Sequence, residues 1–217
     1  MRAAPLLAVL GLVLAGCGGG GGGGGGSEEQ SSAGGCREVE APEPRPGSDA
    51  KKLARALDPA QTYVLVVATS CGDFEITLDP KLAPDTTASL VALARAGFFD
   101  KTIFHRVVPG FVIQGGDPTA SGSGGPGYST VDPPPGSAAY TRGVVAMAKA
   151  PTEPAGTAGS QFFVVTAEDA GLPPDYAIVG KVTKGYEAVE RIEALGDAGT
   201  EQPSQTILVE RISVRAE

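Results

Sequence analysis

Arg106 and Gln114 are polar residues set eight positions apart within an apolar stretch that reads F-H-R-V-V-P-G-F-V-I-Q-G-G-D-P over residues 104–118. A guanidinium is charged at any physiological pH and donates in a fixed fork, while a carboxamide donates and accepts at once. The single histidine, His105, is next to Arg106 and along an extended strand points to the opposite face. A Ser-His-Asp arrangement would therefore depend on a residue turned away from Arg106 and Gln114, and a hydrogen-bonded strand histidine is the plainer reading. No pair of His or Cys has metal-ligand spacing. No glycine-rich loop leads from a strand into a helix in a phosphate-binding pattern, because Gly115-Gly116 runs into Asp117-Pro118. No metal or cofactor is expected. What remains is an apolar platform with an arginine and a glutamine beside it.

The element that must position them is a hairpin. Apart from Arg106, residues 103–108 and 111–113 are β-branched or aromatic around Pro109-Gly110, and breakers follow at Gly115-Gly116-Asp117-Pro118. With a loop of Pro109-Gly110 alone, Arg106 opposes Ile113. With Phe111 added to the loop, Arg106 opposes Gln114, and directly opposed residues share a face. The second register pairs polar with polar and leaves the Phe111 ring at the hairpin tip, so it is the one expected.

This segment closely resembles the signature of the cyclophilin family of peptidyl-prolyl isomerases. Met147-Ala148-Lys149-Ala150 and Gly159-Ser160-Gln161-Phe162-Phe163-Val164 agree with it in the expected order, and the resemblance runs from about Thr62 to Val214. It implies that Arg106 is the catalytic arginine and that Gln114 positions it and contacts the substrate backbone. Phe111, Val112, Phe163 and Leu172 match the walls of a proline pocket. Gln161 matches a further backbone contact, and Ala148 with Lys149 the strand edge along which a peptide lies. Tyr176 stands where many members have His, Val112 where many have Met, and Lys149 where many have Asn. Gly171 occupies a position often held by Trp, and the chain contains no Trp at all, which puts binding of cyclosporin-like macrocycles in doubt.

Such a platform suits rotation about an X-Pro bond, whose barrier is about 20 kcal/mol. The twisted bond loses double-bond character and its nitrogen becomes more basic, so a charged donor can stabilise it without proton loss or a covalent intermediate. Two readings compete: a peptidyl-prolyl cis-trans isomerase, and a non-catalytic barrel that binds proline-containing segments as a chaperone would.

The chain has 217 residues, which suits one domain with appendages. Residues 1–16 carry one basic residue, Arg2, and an apolar run too short to span a bilayer, so they read as a signal peptide. Leu14-Ala15-Gly16-Cys17 resembles a bacterial lipobox, which makes Cys17 the lipid-modified anchor. Residues 17–59 read as a Gly/Pro-rich, mostly disordered linker between membrane and domain, with a short helix over 49–57. That places the protein in the cell envelope, facing outside the cytoplasm. A net charge of −8 argues against nucleic-acid partners and adhesion to anionic lipid. Once Cys17 is acylated, Cys36 and Cys71 either pair as a disulfide, which an exported compartment permits, or remain free thiols.

The folded part spans 60–217. Strands are expected over 62–69, 74–78, 143–148, 161–166, 176–182 and 206–214, beside the hairpin. Helices are expected from Pro84-Asp85 to Gly97, with Asp85 as N-cap, and over 185–195. In the last strand the apolar residues change parity between Val209 and Ile212, which signals a bulge. Residues 119–141 and 149–159 are Pro/Gly-rich loops. Strand and helix do not alternate, so a doubly wound sheet is unsuited. The expectation is a mainly β, closed eight-stranded antiparallel barrel with two capping α-helices, monomeric, acting on proline-containing polypeptides.

Overall fold

The computed structural model describes residues 35–47 and 56–217. Cys17, the glycine run and most of the helix expected over 49–57 lie outside them. The folded part opens with β1 (Tyr63–Thr69) and β2 (Gly72–Leu78), paired antiparallel around a two-residue turn. In β2 the buried Phe74, Ile76 and Leu78 alternate with Glu75 and Thr77, the period of a strand with one face in the core. Helix α1 (Pro84–Arg95) follows. Its N-cap is Ala83, which has no side-chain oxygen to offer, and the expected cap Asp85 lies exposed in the first turn. The end is satisfied from far away: the buried Asp132 carboxylate accepts from the Thr86 amide at 2.7 Å and its hydroxyl at 2.6 Å.

The remaining elements are β3 (Thr102–Ile103), β4 (Arg106–Val108), β5 (Val112–Gly115), β6 (Thr130–Val131), β7 (Val144–Met147), β8 (Thr157–Ala158), β9 (Phe162–Val165), β10 (Ile178–Lys184), α2 (Tyr186–Glu193) and β11 (Leu208–Ala216). β6 and β8 form a small two-stranded sheet, so both loops read as Pro/Gly-rich contain a short strand and hold each other. In β11 the partners of Ala68 and Thr69 are Arg211 and Val209, so Glu210 is the extra residue of a bulge at the expected change of parity. β10 is irregular at two places. At one of them Gly180 lies so close to β2 that a Cβ would sit 2.1 Å from the Thr77 carbonyl oxygen.

Nine strands form one curled antiparallel sheet in the order β3-β11-β1-β2-β10-β7-β9-β5-β4. This is a half-barrel rather than the closed eight-stranded barrel expected. The edge strands β3 and β4 are consecutive in the chain, but Phe104-His105 interrupts them. The Phe104 amide bonds to Ile207 O at 3.0 Å, β3 pairs with β11, and β4 pairs with β5. The stretch that would seal the seam thus divides its bonds between the two ends.

The concave face holds the main core, where Phe162 packs edge-on against Phe99 and Phe104 at ring-centroid distances of 6.2 and 6.0 Å. α1 packs on β11 and β6, and α2 on β2, β5 and β4. Each fully buried phenylalanine contributes roughly 1.5–3 kcal/mol relative to exposure. Cys36 and Cys71 form a disulfide. From there residues 36–47 run over the surface as a strap: Arg37 N bonds to Ser70 O, Arg45 N to Pro118 O, and the Arg45 guanidinium to the carbonyls of Phe98 and Asp100 at 2.7 and 2.8 Å.

Candidate functional site

The hairpin adopts the register that opposes like with like: Arg106 faces Gln114, Val107 faces Ile113 and Val108 faces Val112. Its tip is fixed from three sides. Phe111 N bonds to Val108 O at 3.0 Å, Phe111 O accepts from Thr166 N at 2.9 Å, and Gly110 N donates to the Glu193 carboxylate at 2.7 Å. Pairing continues across the sheet from Gln114 to Phe163, from Phe163 to Ala146 and from Ala146 to Ile178. Directly opposed residues point the same way, so Arg106, Gln114, Phe163, Ala146 and Ile178 make one row on the convex face. Val108, Val112 and Val165 make the row beside it.

Over these rows lies a cavity of about 240 Å³ lined by Arg106, Phe111, Val112, Gln114, Ala148, Lys149, Phe163, Leu172 and Tyr176. The Arg106 guanidinium carbon stands 5.8 Å from the Phe111 ring centroid, within cation–π range. The floor is aromatic, with Phe163 edge-on to Tyr176 at 5.6 Å and Tyr176 edge-on to Tyr140 at 5.9 Å. Tyr140 is fully buried; its hydroxyl donates to Tyr176 O at 2.7 Å and accepts from Tyr176 N at 2.9 Å. Burial pushes that phenol above its ordinary pKa, so it stays protonated and able to do both.

The polar side is a directional chain. Arg106 Nη1 donates to Gln114 Oε1 at 3.4 Å, Gln114 Nε2 to Gln161 Oε1 at 3.0 Å, and Gln161 Nε2 to Gly124 O at 2.9 Å. Gln161, expected as a further backbone contact, lines an adjoining larger groove of about 1010 Å³, which shares Gln114, Ala148 and Lys149 with the first. Lys149 presents no free ammonium. Its side chain is only 2 % exposed and is held by Asp175 at 2.7 Å, by Glu153 O at 3.0 Å, and over the Tyr176 ring at 5.7 Å.

His105 is not the hydrogen-bonded strand histidine expected. It lies between β3 and β4, and neither ring nitrogen has a partner among the described residues. Burial lowers its pKa and Arg106 adds to that, with Asp117 opposing, so the ring is neutral near pH 7. Asp117 is fully buried. Burial works against its charge, but bonds from Thr119, Gly124 and Gly122 outweigh that and hold the carboxyl below its usual pKa, which pins the loop above the groove. No cluster of three or more His, Cys, Asp or Glu able to hold a metal ion occurs among the described residues.

Two residues at the site were not found in the sequence. Tyr140 is an isolated aromatic in a Pro/Gly-rich loop, and that isolation was the available signal. Glu201, whose carboxylate accepts from Arg106 Nε at 2.7 Å, stands 95 positions away, and no local pattern connects the two.

With the geometry established, the comparisons with known proteins are specific. A family model described as cyclophilin type peptidyl-prolyl cis-trans isomerase matches residues 64–214. The chain is 33% identical over 174 residues to peptidyl-prolyl cis-trans isomerase A of Mycobacterium tuberculosis, covering 72% of this chain and 94% of that protein. It is 37% identical over 155 residues to peptidyl-prolyl cis-trans isomerase CYP57 of Arabidopsis thaliana, covering 70% of this chain but only 30% of that longer protein. Among solved structures, a Cryptosporidium parvum cyclophilin type isomerase crystallised in the presence of the dipeptide Ala-Pro superposes with a TM-score of 0.65 at 32% identity, over 70% of this chain and 98% of that one. The half-barrel, the pocket on its convex face and these matches agree: this chain belongs to the cyclophilin-type peptidyl-prolyl cis-trans isomerase family.

Proposed function

We propose that the chain accelerates cis–trans rotation of X-Pro bonds in polypeptides by binding the twisted amide more tightly than either planar form. The observation that carries this is the placement of one guanidinium at the rim of a cavity of about 240 Å³ with apolar walls from Phe111, Val112, Phe163 and Leu172. The cavity grips the ring, and Arg106 donates toward the prolyl nitrogen as rotation makes it basic. Gln114 steadies Arg106 and meets the substrate backbone, and Gln161 extends that contact into the adjoining groove. Each ~1.4 kcal/mol of preference for the twisted form is a factor of ten in rate. The Cryptosporidium relative's dipeptide supports proline-containing peptides as the substrate class.

The test is two-dimensional NMR exchange on a short X-Pro peptide, with wild type against Arg106→Ala. Exchange accelerated by the wild type and lost in the variant supports catalysis. A peptide that binds both proteins and exchanges at the solution rate with both selects the non-catalytic binding barrel instead.

The reading extends to an exported, lipid-anchored, monomeric protein. Supporting it are the leader with Leu14-Ala15-Gly16-Cys17, the glycine run after it, and a disulfide of the kind found in oxidising compartments. Mass analysis of the protein extracted from membranes tests it: a diacylglyceryl mass on Cys17 supports the anchor, and an unmodified Cys17 or a retained leader refutes it.

A further inference from the structure

The loop from α2 to β11 touches the proposed catalytic group directly. Gly196 sits against β4 so tightly that a Cβ there would meet Val107 Cγ1 at 2.6 Å and Pro109 Cδ at 2.9 Å. Beyond it Asp197 organises a closed turn. Its carboxylate accepts from the amides of Gly199 and Thr200, both at 2.8 Å, and its carbonyl accepts from Glu201 N at 2.7 Å. This turn delivers Glu201 to the outer edge of β4, where its carbonyl accepts from Val107 N at 2.9 Å and its carboxylate from Arg106 Nε at 2.7 Å.

Glu201 holds this place at φ +59, a left-handed conformation that suits glycine or asparagine better than a glutamate. An unfavourable backbone state is kept where the surroundings over-determine it. Here the main-chain bond to Val107 needs only the carbonyl, which any residue supplies. The side chain must account for the choice of residue, and its partner is Arg106. The pair does not explain itself as a stability device, because both side chains are substantially exposed, at 31% and 49%, and exposed pairs contribute little.

Geometry gives it a use. A guanidinium is planar, so a carboxylate fixed on Nε and a carboxamide on Nη1 set both its position and its plane. Among the described residues the Nη2 donors have no partner, which leaves them to meet a ligand. We propose that Glu201 is a positioning residue for Arg106: it clamps Nε so that the Nη edge faces the prolyl amide. The proposal rests on the isomerase reading of Arg106. It also makes the α2–β11 loop, with Asp197 and Gly196, part of the active-site scaffold.

The experiment compares wild type, Glu201→Gly, Glu201→Gln and Arg106→Ala in the NMR exchange assay, together with the Arg106 Nε–H resonance. Glycine accepts the left-handed backbone and keeps the loop, so its effect reports the side chain alone. Glutamine keeps an acceptor for Nε. Expected for Glu201→Gly are a fall in kcat of roughly tenfold with KM within about twofold, and an Nε–H that broadens and exchanges faster with solvent. Glu201→Gln recovers most of the rate and the signal. If Arg106→Ala is inactive while Glu201→Gly matches wild type in both readouts, the positioning role is wrong and the isomerase reading stands. If Arg106→Ala retains full activity, Arg106 is not the catalytic group and the positioning role falls with it; if wild type itself leaves exchange at the solution rate, the isomerase reading fails.

Discussion

The strands β4, β5, β9 and β7 carry two surfaces that differ in kind. On the concave face Val107, Ile113, Val164 and Val145 are almost completely buried and join the main core. On the convex face, one residue away in each strand, stand Arg106, Gln114, Phe163 and Ala146. The inner row can be exchanged only at the cost of packing, while in the outer row Phe163 and Ala146 pack into a second, smaller cluster and only Arg106 and Gln114 leave room for polar chemistry. A two-residue period lets four short strands serve both purposes, and this is why a pocket with few polar groups can be held rigidly without a layer of its own beneath it.

Substitutions on each side break the comparison in opposite ways. The largest effect on folding is expected from Ile113→Ala, which empties fully buried volume directly behind the site and costs roughly 2–5 kcal/mol, read as a lower urea midpoint. One position over, Arg106→Ala is expected to lower kcat/KM about 100-fold, as for loss of one donor to a developing charge, with stability changed by less than about 1 kcal/mol. Tyr140→Phe sharpens the boundary between the two cases. It leaves the ring but removes both bonds to Tyr176, costing about 1–3 kcal/mol and raising KM as the floor of the cavity loosens; thermal unfolding beside peptide titration separates the two.

The smallest effect lies away from both faces. Glu75 bridges three strands through Arg215 and Lys184, and chiefly the Arg215 hydrogen bonds hold its pKa down to about 2 from an ordinary 4.5, against a smaller opposing effect of burial. A carboxyl whose pKa is depressed on folding adds stability above its unfolded value and loses it as pH falls through the folded one. Wild type should therefore lose stability between about pH 4.5 and 2, and Glu75→Gln should show a flatter slope over that window in acid titrations followed by circular dichroism. An identical slope in both proteins would remove Glu75 from the account.

What could be read beforehand follows the same division. The hairpin register was legible because one alternative buried a mismatch of Arg106 against Ile113, and the β11 bulge because a run of apolar residues changed parity. Both are local patterns. The misplaced α1 cap was not, since Asp85 is well spaced for the task but Asp132, 46 positions beyond Thr86, performs it. The open seam escaped for a related reason: Phe104-His105 looks like continuous strand until Ile207 claims the Phe104 amide. Glu201 and Tyr140 were hidden because each acts through contacts made across the fold. Motif matching found the walls of the cavity and missed what braces them.

The covalent link between Cys36 and the β1–β2 turn has a mechanical consequence. Any pull on the chain ahead of Gly35 is borne at Cys71, between two interior strands of the sheet and beside Arg191, whose Nε donates to Cys71 O at 2.7 Å. The Arg45 contacts and the neighbouring wall of the large groove, where Gly47 meets Gly125, lie on the slack side of that fastening. Tension therefore passes into two interior strands of the sheet and bypasses the large groove.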